Sequence, residues 1–117
     1  MSTIRDVVQA FGEHDGVDGI LVLGRDGLPI DSVCPKGVDA DNLAALVPSM
    51  VSACNQLAEA GNRGPFNAGV AECANGFVVV TTLSSEAYLA LLVQRDANLG
   101  SLLYELRRYQ SAIVGLL

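Results

Sequence analysis

Two short stretches of the sequence hold residues that could do chemistry. The first is Gly24-Arg25-Asp26-Gly27, where two glycines bracket a cation and an anion. A phosphate-binding loop would need the G-x-x-x-x-G-K-[ST] pattern and a helix that presents backbone amides, and this segment has neither. We therefore interpret it as a hairpin turn in which the glycines take positive φ.

The second stretch, DGVDG at residues 15–19, resembles part of a calcium-binding loop. It lacks the D-x-[DN]-x-[DN]-G spacing and the bidentate glutamate that closes such a loop, so no calcium site is expected. The only imidazole, His14, lies beside it and is predicted to be a solvated loop residue, because no nucleophile and base are recognisable around it. Arg107 and Arg108 could bind an acidic partner, although a charged helix face is the commoner explanation.

The cysteines are widely spaced and form no CxxC motif; they are Cys34, Cys54 and Cys73. This spacing predicts reduced, buried thiols in a cytosolic protein rather than a metal site. We therefore expect no catalytic residue, no metal and no cofactor, and a protein that is not an enzyme.

The composition and net charge of the chain limit the classes of partner that the protein can bind. The 117 residues fit one domain, residues 1–117, and carry a net charge of −6 with one lysine, Lys36. Binding to nucleic acid or to an anionic membrane is therefore unfavourable. Only 17% of residues are charged, below the roughly 25% usual for soluble domains, so the surface is either weakly polar or covered by a partner. The start of the chain has no apolar signal segment, and no apolar run approaches the ~20 residues of a membrane span, so we expect a cytoplasmic protein.

Hydrophobic periodicity predicts the elements that must position these residues. Helices are expected over residues 3–13, from Asp39 or Asp41 to about Ala60, and over 97–116 with Asp96 or Asn98 as cap; strands are expected over 19–23, 28–34, 66–73, 77–83 and 87–93. The central helix is expected to bury one stripe, formed by Leu43, Leu46, Val47, Met50, Val51, Cys54, Leu57 and Ala58. Pro48 lies inside this helix and is expected to kink it or to mark its effective start.

These elements predict an α/β (α+β) sandwich of order α-β-β-α-β-β-β-α. The three most apolar strands must be interior, whereas Pro29 cannot donate to a ladder and places its strand at an edge. The strand over 66–73 is left as the other edge, which gives a five-stranded antiparallel sheet of order 2-1-5-4-3 with helices on both faces.

The second edge and the central helix both favour a homodimer. The strand over 66–73 has no lysine or internal proline, its sole charge is Glu72, and Gly69 would let another backbone approach. The outward helix face is small and uncharged, which suits packing against another helix. The predicted interface comprises Ala45, Ser49, Ser52, Gln56, Ala68, Val70 and Glu72. The alternatives are an edge capped by a loop and an ordinary alanine-rich surface helix.

Three segments in this order resemble the Roadblock/LC7 family, in particular its bacterial MglB-like branch. VDGILVLGRDGLPIDS is similar to the family's first hairpin, DADNLAALVPSMVSACNQLAEA to its central helix, and ANGFVVVTTLSSEAYLALLVQRDANLGSLLYELRR to its last hairpin and closing helix. Pro48 departs from the usual uninterrupted central helix.

The resemblance implies a roadblock/profilin-like fold and a homodimer formed by the central helices and a shared sheet edge. It also implies that the dimer binds a Ras-like small GTPase, with Ser49, Ser52 and Gln56 as expected contacts. MglB-type members activate GTP hydrolysis without an arginine finger, by repositioning the GTPase's own residues. The alternatives are a scaffold or dynein-light-chain-like subunit without a GTPase partner, and a small-ligand sensor.

Overall fold

Residues 4–114 are described by a computed structural model. Its elements are α1 (Ile4–Gly12), β1 (Val17–Gly24), β2 (Pro29–Val33), α2 (Ala40–Ala60), β3 (Ala68–Cys73), β4 (Gly76–Ser84), β5 (Ala87–Gln94) and α3 (Leu99–Val114). This confirms the predicted order. Asn98 is the cap of α3, because its side-chain oxygen accepts from the Ser101 N–H at 3.0 Å. The predicted helix ends at Thr3 and Leu116 lie outside the described residues.

The strands form one antiparallel sheet of order β2-β1-β5-β4-β3, as predicted. Leu91 at the middle of β5 pairs with Ile20 of β1 on one side and Val79 of β4 on the other, and all three are buried. These apolar strands occupy the interior of the sheet because both their faces are covered. Pro29 begins β2 at one edge, where its missing N–H costs no ladder bond.

Helices cover both faces of the sheet, and side-chain alternation along the strands divides the core in two. On one face, Val8 and Phe11 of α1 and Leu102 and Leu106 of α3 pack against Leu89 and its neighbours. On the other face, α2 packs against residues of opposite parity, among them Leu21, Val80 and Ala90. The two-faced sandwich is therefore confirmed. None of the described helices is long and apolar enough to cross a bilayer.

The central helix is continuous through Pro48, so the expectation that it effectively starts there is wrong. Its true start is capped by Asp39, whose carboxylate accepts the N–H groups of Asp41 at 3.0 Å and Asn42 at 3.3 Å. Proline removes one backbone hydrogen bond, whereas the cap and the burial of Ala44 and Val47 hold the turns that precede it.

The predicted buried stripe of α2 is too wide. Leu46 is 60% exposed and Leu57 is 73% exposed, while Ala44, Val47 and Val51 are the buried residues of this helix. A lone helix on one face of a sheet buries only the residues that point at the strands. Both leucines therefore lie on the flank of the helix, where they are exposed to solvent in the single chain.

Candidate protein-interaction surface

Gly24 to Gly27 forms the hairpin turn between β1 and β2. The Gly24 N–H donates to the Leu28 carbonyl at 2.9 Å, and Gly27 donates to the Gly24 carbonyl at 3.0 Å. Gly27 takes a φ of +85°, as predicted, but Gly24 does not have positive φ, so that part of the prediction is wrong. The Asp26 carboxylate is engaged within the turn, where it accepts the Leu28 N–H at 3.0 Å.

Arg25 ties this turn to the β4–β5 turn. Its backbone N–H donates to the Glu86 carbonyl at 3.2 Å, and its guanidinium donates to the Ser85 carbonyl at 2.8 Å. The same guanidinium lies 5.4 Å from the ring centroid of Tyr88, within the range of a cation–π contact. Arg25 therefore serves as a clamp between two hairpins.

The histidine, the cysteines and the other possible ligand residues do not come together in one site. His14 is half-buried and stacks on Phe11 with ring centroids 5.7 Å apart, so it is less solvated than predicted. Within residues 4–114, no three His, Cys, Asp or Glu side chains gather as metal ligands would. The three cysteines are free thiols; Cys34 and Cys54 are half-buried, but Cys73 is exposed, which contradicts the prediction of burial for that thiol.

Each backbone N–H and C=O group of β3 can be assigned either to the ladder with β4 or to the open edge of the sheet. The Asn67 carbonyl accepts from the Thr82 N–H at 3.0 Å, so residues 67 and 82 bond across the β3–β4 ladder. Bonded and non-bonded pairs alternate in an antiparallel ladder. Gly69 and Ala71 therefore bond to β4, whereas Ala68, Val70 and Glu72 direct their N–H and C=O groups away from the sheet.

All seven predicted interface residues are exposed in the single chain, but they form two groups. Ala45, Ser49, Ser52 and Gln56 lie on the outer face of α2. Ala68, Val70 and Glu72 point from the opposite face of the sheet, because Val70 pairs with Val79, whose side chain belongs to the core beneath α1 and α3. The two groups share only the β3 edge that lies between them.

Sequence reasoning missed an apolar ridge that continues from this edge onto α2. The position of a Cβ on Gly69 would be 3.1 Å from the Met50 methyl carbon and 3.5 Å from the Cys54 sulfur, so Met50 lies over β3. Leu46, Ala53 and Leu57 continue the same flank of the helix at spacings of four, three and four residues. The signal that could have revealed the ridge is this coiled-coil-like spacing in a segment almost without charge.

A second apolar patch lies near the opposite sheet edge. Leu28 is 65% exposed and Ile30 is 49% exposed. The position of a Cβ on Gly27, just before them, would be 3.5 Å from the Ala45 Cα and 3.6 Å from the Pro48 ring. This patch therefore borders the flank of α2 that faces away from β3.

The structure defines a small α/β sandwich domain, and comparison with known proteins gives its family. The model of the Roadblock/LC7 domain family matches residues 3–93. The chain belongs to the Roadblock/LC7 family. Its relatives include the uncharacterized protein MJ0310 of Methanocaldococcus jannaschii, which is 26% identical over 102 residues that cover 87% of this chain and 89% of that protein.

Solved structures share the fold. The Roadblock/LC7 domain from Streptomyces avermitilis superposes with a TM-score of 0.85 at 23% identity, covering 96% of this chain and 95% of that one. Myxococcus xanthus MglB superposes with a TM-score of 0.88 at 18% identity, and the match covers 97% of this chain and 93% of that one. A structure of MglB in a tetrameric arrangement superposes with a TM-score of 0.87 at 23% identity, and the match covers 97% of this chain and 86% of that one.

Proposed function

We propose that the chain acts as a single Roadblock/LC7 domain, residues 1–117, that forms a homodimer and regulates or recruits a Ras-like small GTPase. The observation that carries the proposal is the open β3 edge beside the exposed apolar ridge of α2. The regulator has no chemistry of its own and needs no cofactor or metal.

The homodimer forms when the β3 strands of two protomers pair. Ala68, Val70 and Glu72 supply the unsatisfied backbone groups for this pairing, which merges the two sheets into one. The two α2 helices then lie side by side on one face of the joined sheet and meet through the flank nearest β3. Leu46 and Leu57 become buried there, which removes two exposed leucines from water.

Of the predicted contacts with the GTPase, Ser52 and Gln56 suit that role better than a role in the dimer. Both are exposed, and the Gln56 amide nitrogen lies 3.4 Å from the Ser52 hydroxyl oxygen. At 3.6 residues per turn, Ser52 points away from Met50, which lies over β3. We assign Ser52 and Gln56 to the GTPase and place Ser49 at the border of the two surfaces, with Leu28 and Ile30 as neighbouring apolar contacts.

Stimulation of GTP hydrolysis, in this proposal, comes from repositioning of the GTPase's own residues. Four of the six arginines are held within the protomer: Arg5 by Asp31, Arg25 by Ser85, Arg95 by the Ala74 carbonyl and Arg108 by Glu105. A side chain that is already engaged is poorly placed to reach into another active site.

The core of the domain gives little support to a small-ligand sensor. Thr81 is a buried polar side chain, and its hydroxyl already donates to the Asn67 carbonyl at 3.0 Å. A ligand pocket would need convergent unsatisfied polar groups to orient its occupant.

Affinity capture from the source cell tests the proposal. Immobilised protein is incubated with lysate containing a non-hydrolysable GTP analogue or GDP, and bound proteins are identified by mass spectrometry. We expect a Ras-like GTPase to be enriched with the GTP analogue, because γ-phosphate contacts order the switch loops that such a regulator reads. Failure to enrich any GTPase, with other proteins captured equally in both nucleotides, would favour the scaffold alternative.

A further inference from the structure

A groove of about 610 Å³ separates α3 from β3 on the face of the sheet opposite α2. It exists because α3 packs over β4 and leaves the side chains of β3 on this face exposed. Its lining residues include Ala68, Val70, Thr81, Leu106, Arg107 and Gln110. The Gln110 amide closes one part of it by donating to the Thr82 carbonyl at 2.6 Å.

One charge lines this groove and one charge lies on the strand beside it. Arg107 is exposed on the groove wall and makes no hydrogen bond or ion pair with any described residue. Glu72 is exposed, is the sole charge of β3, and is likewise unpaired among the described residues. The two are not paired within one protomer, since the ion pairs of the described chain are Arg5–Asp31 and Arg108–Glu105.

The backbone of β3 favours one register for a symmetric pair of strands. Three residues point their backbone groups outward: Ala68, Val70 and Glu72. With Val70 opposite its own copy, all three bond to the partner strand, because each Ala68 then faces a Glu72. Registers centred on Gly69 or Ala71 leave only two hydrogen-bonded residue pairs between the strands. A register centred on Glu72 places two carboxylates directly opposite each other, which is unfavourable.

In the favoured register, the partner's Glu72 stands beside Ala68. Directly opposed side chains lie on the same face of a sheet with Cβ atoms about 5 Å apart, so the partner's Glu72 projects toward the groove that Ala68 and Arg107 both line. We propose that Arg107 of each protomer forms an ion pair with Glu72 of the partner subunit, and that these two symmetric pairs fix the register of the dimer. This inference rests on the homodimer of the proposed function. It adds the ion pairs that determine how the two β3 strands align.

A charge swap tests the pair. The dimer dissociation constants of Glu72→Arg, Arg107→Glu and the double variant are measured by analytical ultracentrifugation, and circular dichroism checks that each variant is folded. Arg108→Glu is the matched control, because it reverses the neighbouring charge on the same helix outside the groove. We expect each single reversal to weaken the dimer about tenfold, since two symmetric exposed pairs are lost at once.

The double swap should return the dissociation constant to within about threefold of the wild type, and the wild-type dimer should weaken as salt is raised. Single reversals that leave the dimer unchanged, or that weaken it without rescue by the double swap, would overturn the Glu72–Arg107 pair while leaving the homodimer intact. A wild-type protein that stays monomeric at all concentrations would instead overturn the homodimer itself.

Discussion

The Asn67 carbonyl accepts the Thr82 N–H at 3.0 Å, and this bond shows which backbone groups of β3 face outward. Val70 lies on the outward set and Ala71 on the set bonded to β4. Proline is tolerated on an edge strand where its nitrogen faces solvent. We therefore expect Val70→Pro to remain folded and become monomeric in size-exclusion chromatography with light scattering.

Ala71→Pro is the matched control for this substitution, one residue along the same strand. It deletes a donor of the β3–β4 ladder, so it should lower the thermal unfolding midpoint markedly. A dimeric Val70→Pro variant would contradict the assignment of β3 as the dimer edge.

The exposed ridge of α2 gives a second prediction. Leu46→Glu and Leu57→Glu remove no contact that is buried in the protomer, since both leucines are mostly exposed. We expect each to weaken dimerisation at least tenfold, through lost apolar burial and repulsion between two copies of the charge. The monomer's free energy of unfolding should change by no more than about 0.5 kcal/mol.

Sedimentation equilibrium and urea denaturation at low protein concentration measure the two effects separately. Gln9→Glu, an exposed change on α1 near the opposite sheet edge, serves as control and should alter neither. Equal behaviour of Leu57→Glu and Gln9→Glu would show that the ridge is simply solvated.

The clamp formed by Arg25 should matter for stability and not for ligand binding. Arg25→Ala loses the hydrogen bond to Ser85 and the contact with the Tyr88 ring. Because the side chain is exposed, we expect the variant to fold with a loss of about 1 kcal/mol in the free energy of unfolding. Isothermal titration of the wild type with nucleotides or calcium should give no heat of binding. Measurable affinity that disappears in this variant would contradict the hairpin interpretation.

The cysteines should differ in reactivity. Burial raises the pKa of the Cys34 thiol, which lowers its thiolate fraction at pH 8, whereas Cys73 is exposed at the end of β3. The thiolate is the nucleophile, so iodoacetamide at pH 8 should label Cys73 first and Cys34 slowly. Labelling of Cys34 should accelerate as the pH rises. Peptide mass spectrometry over time gives the order of labelling, and labelling of Cys34 before Cys73 would contradict the burial that the structure gives these residues.

Much of the sheet could be predicted because its signals are local. Pro29 marks one edge, and three uninterrupted apolar runs mark the interior, so the strand order follows almost without choice. The Asp39 cap was recognisable for the same reason, since it lies next to the residues it serves.

The interaction surface was harder to predict, because it depends on how elements cross. Periodicity placed Leu46 with Val47 on one stripe, but only the orientation of α2 over the sheet decides which of them is buried. The clamp from Arg25 to Ser85 joins positions 60 residues apart, and the groove beside Arg107 depends on where α3 crosses the strands. Neither leaves a pattern in the sequence.

The proposed mechanism of GTPase activation gives a prediction about the arginines. A finger supplied in trans is worth ~10³–10⁵ in rate. Repositioning predicts that single Ala variants of Arg5, Arg25, Arg63, Arg95, Arg107 and Arg108 all retain most of the stimulation, when assayed at concentrations where each variant is dimeric. Single-turnover GTP hydrolysis by the partner measures this. One variant that binds normally but stimulates a thousandfold less would identify a finger.

The affinity of the protein for the proposed Ras-like partner in its two nucleotide states tests the central claim most directly. Fluorescence anisotropy of the partner, loaded with a labelled non-hydrolysable GTP analogue or with labelled GDP, is followed while wild type or Ser52→Arg is titrated in. We expect the wild type to bind the GTP form at least tenfold more tightly than the GDP form, and Ser52→Arg to lose this binding while it remains a dimer. Equal affinity for the two forms, or no binding to either, would contradict the account.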